Sequence, residues 1–241
     1  MKYAIVTGGT KGIGKAISKE LLIRNFSVIA VHNDDDENES VARKDIDPQF
    51  QKKYFLVKCD LSDPENIPDL LAQVKLLTAT LDVLILNAGK TLRKGIVDMT
   101  MEQWESVMAM NITTPLFLIQ QLLPFLKKGS NIIFTGSSMG IFPHSVSLSY
   151  GVSKSAVHAL VKNLVKFLIP FEIRVNCVSP GFVDTEWQKE KPKEIRDSIT
   201  EKISLKRFAK PEEVASVYLF IIDNQYMNGE IITIDGGYSY Q

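Results

Sequence analysis

Cysteine is nearly absent from this 241-residue chain. Two residues, Cys59 and Cys177, leave no disulfide framework, and no Cys/His spacing fits zinc. Both thiols read as buried and free. Net charge is also lacking: 28 basic side chains balance 28 acidic ones, which excludes a strongly basic nucleic-acid binder and an acidic solvating tail. No unbroken apolar run approaches the roughly 20 residues of a membrane span. The opening residues Met1 to Val6 lead to glycine too soon for a signal peptide. The expectation is a cytoplasmic protein without membrane or nucleic-acid partners. No repeat, low-complexity tract or Pro/Gly/Ser linker divides the chain, so a single domain over residues 1–241 is expected. At this length roughly three quarters of the unfolded surface can be buried, and neither a metal nor a disulfide staple is required.

What the chain does contain is an alternation. Apolar runs at Tyr3–Thr7, Ser27–Val31, Tyr54–Lys58, Val83–Leu86, Asn131–Thr135, Ile173–Val178 and Glu230–Ile234 are rich in Val, Ile, Leu and Phe. They do not alternate with polar residues, which suits strands covered on both faces of a parallel sheet. Amphipathic stretches at 12–24, 64–79, 101–126, 150–168 and 211–222 lie between them. The pattern predicts an α/β fold, a Rossmann-type doubly wound seven-stranded parallel sheet with helices on both faces. Ligands in such sheets bind beyond the C-terminal strand ends, where the winding reverses. The charge run Asp34-Asp35-Asp36-Glu37-Asn38-Glu39 after the second strand reads as a solvated loop.

The first strand runs into Thr7-Gly8-Gly9-Thr10-Lys11-Gly12-Ile13-Gly14 and then into a helix. So tight a turn needs glycine, for unusual φ/ψ and for close approach of backbone N–H groups to an anion. The helix N-terminus adds partial positive charge. Between a strand and a helix, at the start of a βαβ series, this is the context of a phosphate cradle. The spacing is GxxxGxG rather than GxGxxG.

A second constellation lies at the fifth strand. Ser137 follows Asn131–Thr135, and Tyr150 and Lys154 stand four apart in a helical stretch, so they share a face. Free tyrosine has a pKa of about 10. An ammonium about 4 Å away, at an effective dielectric of 20, contributes about 4 kcal/mol, or about three pKa units. The expectation is a phenol made acidic enough for general acid/base work near neutrality, with a serine hydroxyl to hold a carbonyl oxygen.

These features occur in order with others: Asn87-Ala88-Gly89 after the fourth strand, Asn111 in the following helix, and Pro180-Gly181-Phe182-Val183-Asp184-Thr185 after the sixth strand. Together they resemble the short-chain dehydrogenase/reductase family, in its short single-domain branch, over essentially the whole chain. Within it the resemblance is to 3-oxoacyl-acyl-carrier-protein reductases, including the ending Ile234-Asp235-Gly236-Gly237-Tyr238. The resemblance implies four catalytic residues. Tyr150 would be the proton donor and Ser137 the carbonyl anchor. Lys154 would be partner to the phenol and to a ribose, and Asn111 would hold a water joining Lys154 to solvent. Pro115 has no N–H and stands four residues after Asn111, so the Asn111 carbonyl also loses its helical partner.

The resemblance also implies a nicotinamide dinucleotide. Gly8, Thr10, Lys11, Gly12, Ile13 and Gly14 would hold its phosphates, with His32 and Asn33 at the end of the second strand. Asp60 and Leu61 would lie near the adenine, and Asn87, Ala88 and Gly89 against the adenosine ribose. Tyr150 and Lys154 would reach the cofactor, as would Pro180, Gly181, Val183 and Thr185. NAD users generally place an Asp where this chain has His32, and Lys11 is a position where NADP users of the family carry a base. Both favour NADP(H), while Asp34–Asp36 would oppose a 2′-phosphate if they turned inward; NAD(H) stays possible.

The segment at about 182–203 should form a substrate lid containing Phe182 and Trp187, with Met139, Phe142, Pro143 and His144 as the other wall. These side chains suit an uncharged or partly apolar ketone, small or carrier-linked. Lys127 and Lys128 would dock an acidic carrier protein, but Ile169-Pro170-Phe171-Glu172 lacks the second basic residue such enzymes carry. Leu86, where the family commonly has Asn, and a short stretch at 224–228 are further departures. Two other readings stay open: an NAD-dependent alcohol, polyol or steroid dehydrogenase, and a non-catalytic dinucleotide sensor. Apolar side chains beyond one buried stripe, such as Leu116, Phe117, Leu118, Leu122 and Leu123, then Val157, Leu160, Val161, Leu164 and Phe167, predict a homotetramer.

Overall fold

Apolar side chains point to both sides of the central strands because two separate cores lie against the sheet. The computed structural model describes residues 1–33, 36–143, 147–189 and 191–240, and the side chain of Asp36 is also outside the description. The strands are β1 (Lys2–Thr7), β2 (Phe26–His32), β3 (Tyr54–Lys58), β4 (Leu81–Leu86), β5 (Leu126–Thr135), β6 (Arg174–Pro180) and β7 (Ile231–Ile234). They form one parallel sheet in the order β3-β2-β1-β4-β5-β6-β7. All the expected strands are present; β5 starts further back, at Leu126.

Nine α-helices are found among the described residues. They are α1 (Gly12–Ile23), α2 (Asp36–Lys44), α3 (Ile67–Leu77), α4 (Met101–Met108), α5 (Thr114–Leu122), α6 (Leu148–Leu168), α7 (Glu186–Lys189), α8 (Lys193–Lys202) and α9 (Pro211–Asp223). Ala4 and Val6 of β1 pack with Ile17, Leu21, Val214 and Tyr218 of α1 and α9, while Ile5 packs on the opposite side, in the core of α3, α5 and α6. Each strand residue therefore buries apolar area whichever way it points, worth about 25 cal/mol per Å². This removes the reason for a polar alternation.

Three expectations need correction. The acidic run is not simply a loop: α2 begins at Asp36, and its Arg43 and Lys44 stand in the last turn, where cations oppose the helix dipole; Asp34 and Asp35 lie outside the described residues. The helix expected over 101–126 is broken. A π-turn at Ala109–Thr113 separates α4 from α5, just before Pro115. This same run, Met101–Phe125, is long and apolar enough to cross a membrane by length and composition, although no unbroken apolar run is. Its flanking strands β4 and β5 are neighbours in one parallel sheet, so the run is the crossover that returns along the sheet face. Finally, Val157, Val161 and Leu164 of α6 and Leu118 and Leu122 of α5 are buried in the core and leave no excess at those positions. Phe117 and Phe167 stay exposed.

The chain winds outward one way through β1, β2 and β3, then the other way from β4 to β7. The reversal falls between β1 and β4.

Candidate active site

At that reversal the two strand ends are tied together. The Thr7 hydroxyl accepts the Asn87 and Ala88 N–H groups at 2.9 and 3.0 Å, and the Asn87 side-chain amide donates to the Thr7 carbonyl at 3.0 Å. The glycine turn hangs from this knot. Gly8 (φ +64°) and Gly12 (φ +49°) occupy the left-handed region. A Cβ on Gly14 would overlap the Gly8 carbonyl oxygen and stand 2.6 Å from Asn87 Nδ2. Helix α1 starts this close to the strand only because nothing is there. Lys11 stands at the N-cap of α1 and its side chain does not cap the helix N–H groups, which leaves the first turn to an anion.

Beside the turn opens a cavity of about 570 Å³, within the range of small-molecule sites. Gly8, Lys11, Gly12 and Ile13 line one part; His32, Asn33, Asp60 and Leu61 line the next; Asn87, Ala88 and Gly89 follow, with Pro180, Gly181, Val183 and Thr185 opposite. Thr10 and Gly14 are buried under the turn and do not line it. Asp60 is held below the usual carboxylate range, first by the Ser62 N–H donating to Oδ1 at 2.9 Å, then by the Ser62 hydroxyl and the Asn33 side chain. His32 is buried, its Nε2 3.5 Å from Glu39 Oε2. A cradle that tolerates no Cβ, a helix N-terminus and a long crevice fit a dinucleotide.

Ser137, Tyr150 and Lys154 line the same cavity. Ser137 stands at the end of β5 and caps a short 3₁₀ turn over 138–140, its Oγ accepting the Met139 N–H at 3.2 Å. Its hydroxyl also acts on the Tyr150 phenol, favouring the charged form. Lys154 Nζ donates to the Thr135 carbonyl at 2.7 Å and lies 5.6 Å from the centre of the Tyr150 ring. Trp187 of α7 packs edge-on against that ring, centroids 6.4 Å apart.

The electrostatic expectation for this pair is reversed by burial. Burial raises the Tyr150 phenol above its ordinary pKa, and the Ser137 hydroxyl offsets only part of this. Burial also lowers Lys154, to about 8. Desolvation disfavours both charged forms, and the ammonium is aimed at a backbone carbonyl instead of the phenol oxygen.

Asn111 lies behind Gly89 and does not line the cavity. Its side chain is fully engaged: Oδ1 accepts the Lys90 N–H at 2.8 Å, and Nδ2 donates to the Lys90 carbonyl at 2.9 Å and to Ser153 Oγ at 2.8 Å. The Ser153 hydroxyl then donates to the Tyr150 carbonyl at 2.8 Å. Asn111 thus joins the loop after β4 to helix α6. On the lid side, Phe182 packs with Phe208, Ile203, Met139 and Tyr238. Phe142 and Pro143 are exposed, and His144 lies outside the described residues. Sequence reasoning missed Thr135, which receives the Lys154 ammonium, and Tyr218, whose hydroxyl sits 2.6 Å from Thr135 Oγ1. The position of Thr135 at a strand end was the available signal; Tyr218 is hidden in the apolar stripe of α9.

The family model described as enoyl-(acyl carrier protein) reductase matches residues 8–239. The 3-oxoacyl-[acyl-carrier-protein] reductase of Aquifex aeolicus is 31% identical over 240 residues, covering 98% of this chain and 96% of its own. Among solved structures, the Pseudomonas aeruginosa RhlG/NADP active-site complex is 28% identical at a TM-score of 0.89, covering 99% of this chain and 96% of that one. A short-chain dehydrogenase from Burkholderia cenocepacia in complex with NADP is 26% identical at 0.90, covering 98% and 97%. The chain belongs to the short-chain dehydrogenase/reductase family, and it is an oxidoreductase.

Proposed function

We propose that the chain reduces a ketone to a secondary alcohol with NADPH, in the manner of 3-oxoacyl-thioester reductases. The observation that carries this reading is that Ser137, Tyr150 and Lys154 line one crevice continuous with the glycine cradle, the Lys154 ammonium 5.6 Å from the centre of the Tyr150 ring. Ser137 and Tyr150 hold the carbonyl oxygen between two hydroxyls. Tyr150 gives its proton to that oxygen, and the Lys154 ammonium, held on the Thr135 carbonyl 5.6 Å from the ring centre, offsets the phenolate charge through space. A phenol whose pKa is raised keeps its proton at neutral pH, which suits a donor and therefore the reductive direction. A hydride for the carbonyl carbon is what a reduced nicotinamide supplies when bound.

Gly8, Lys11, Gly12 and Ile13 would hold the phosphates, Asp60 and Leu61 the adenine end, and Val183 and Thr185 the nicotinamide end. NADPH is favoured by Lys11 on the turn, by the lack of a carboxylate at His32 and Asn33, and by the NADP complexes of two structural relatives. Glu39, 3.5 Å from His32, is the observation that favours NAD. The lid is the segment at about 182–203, with Trp187 facing the substrate and Phe182 anchoring the segment in the cluster behind it. A carrier protein as partner is weakened further: Lys127 pairs with Asp82 at 2.5 Å and Lys128 with Glu172 at 2.6 Å. Both lysines stand at the start of β5, the end of the sheet away from the crevice. The reading includes a cytoplasmic homotetramer, supported by the exposed Phe117, Phe167 and Phe220.

Tyr150→Phe tests the chemistry. The expected result is loss of turnover of a β-keto thioester, with NADPH affinity by fluorescence titration within a few fold of wild type. An unchanged rate ends the assignment. Comparing kcat/KM for NADPH and NADH tests the cofactor, and a clear NADH advantage would show that Lys11 and His32 were misread.

A further inference from the structure

Lys90 lines the crevice on one side and Trp187 and Gln188 on the other, and the segments they belong to carry further cations just beyond. Gly89 opens the segment Lys90-Thr91-Leu92-Arg93-Lys94, and a Cβ on Gly89 would stand 3.6 Å from Lys154 Nζ. The segment is stitched to the entry of α6. Thr91 Oγ1 lies 3.2 Å from Ser147 Oγ, and the Leu148 N–H donates to the Lys94 carbonyl at 3.3 Å, two residues before Tyr150. It therefore leads outward from the reacting groups.

From the other rim the lid supplies Lys191, whose Nζ lies 5.3 Å from the centre of the Phe182 ring and donates to Gln188. Trp187, four residues earlier, touches Tyr150. Of the lid cations that follow, Lys193 is paired with Asp197 at 2.6 Å and Arg196 with Asp184 at 3.0 Å. Arg93 and Lys191 have no carboxylate within ion-pair distance among the described residues. Glu186 faces the cofactor half instead, its Oε2 3.9 Å from where a Gly12 Cβ would be.

Lys191 is half-buried and held down to about 8, first by desolvation, then by the like charges of Arg93 and Arg196. Like charges on Lys191 and Arg93, neither ion-paired among the described residues, repel one another, and an anion seated between them reverses that cost.

We infer, on the ketone-reductase reading above, that the substrate carries an anionic group, a carboxylate or a phosphate, which Lys191 and Arg93 receive from opposite rims. This departs from the uncharged ketone expected from Phe182, Trp187 and Met139 alone. Trp187 would flank the stretch of substrate between its carbonyl and its charge.

Matched probes test it. The carboxylate arm uses 4-oxopentanoate, 5-oxohexanoate and 6-oxoheptanoate, each against its methyl ester. The phosphate arm uses acetoacetyl-pantetheine with and without its 4′-phosphate. In at least one arm the charged probe is expected to exceed its neutral twin about tenfold or more in kcat/KM, carried by KM. Lys191→Met and Arg93→Met should each bring that ratio towards one. Lys193→Met, an exposed lid lysine paired with Asp197, should leave the ratio alone. The arm that shows the preference identifies the anion. Twins reduced equally by wild type, or a preference that survives both variants, overturn the inference and leave the reductase standing. Quenching of tryptophan emission by the same probes, without turnover, separates the remaining case. If no ketone is consumed the reductase reading falls, yet charge-selective quenching lost in Lys191→Met still supports the anion site, and unselective quenching removes it.

Discussion

Tyr150, Lys154 and His158 follow one another at single-turn intervals along α6, and burial acts on all three. The i,i+4 spacing correctly placed the phenol and the amine together, because helical geometry alone decides that. It could not reveal the dielectric, nor the Thr135 carbonyl that takes the ammonium. His158, unremarked in the sequence, shows the same effect most clearly. Its Nε2 lies 2.7 Å from Ser179 Oγ, and the ring is also hydrogen-bonded to the Gly140 backbone. Desolvation first, then the charges of Lys154 and Lys162, lower its pKa from 6.5 to about 4. A depressed histidine pKa means that the unfolded chain binds the proton first as pH falls. Stability is therefore fully present above pH 6.5 and is lost between 6.5 and 4, by about 3 kcal/mol at most. Urea unfolding at steps across this window should show the slope, and His158→Gln should remove that part of it. A slope unchanged by the substitution would mean that other groups carry it.

At the level of elements, legibility followed how much a segment's neighbours decide. Strands buried on both faces announce themselves by composition, and the glycine turn by its spacing. The π-turn was foreshadowed only by Pro115, and α2 and the lid helices α7 and α8 are polar and short, with little apolar stripe to read. Two glycines make opposite predictions. Gly14→Ala must push apart the Gly8 carbonyl and the Asn87 amide, so a loss of about 2–3 kcal/mol and of measurable NADPH binding is expected. Gly151→Ala puts a methyl group no closer than 3.7 Å to the Met139 carbonyl oxygen, within helix α6. It should raise stability by up to about 1 kcal/mol, since alanine costs less backbone entropy to hold in a helix. Parallel urea midpoints decide both. A neutral Gly14→Ala would mean that strand and helix are less tightly joined than the contacts indicate.

For the whole molecule, the sheet is covered well except towards β7. All four residues of that edge strand are partly or wholly exposed although three are isoleucine, and Phe220 on α9 and Tyr226 just beyond it are open to solvent. A second apolar area lies at the end of α6, where Phe167, Ile169 and Phe171 are exposed, with Phe117 exposed on neighbouring α5. The sequence overstated this second area, because hydrophobicity along a helix does not separate the stripe facing the sheet from the stripe facing out. What is left is still more than scattered surface leucines need. Two separate areas on one chain, each closed by a two-fold axis, build a tetramer with dihedral symmetry. Light scattering coupled to size exclusion at micromolar concentration should therefore give four times the 27.0 kDa chain mass. Phe167→Glu sets a charge in one contact only and should leave a dimer, while Phe220→Glu tests the other. If wild type elutes at the chain mass, both areas are ordinary surface and the assembly is wrong; if either variant alone yields monomer, there is one interface instead of two.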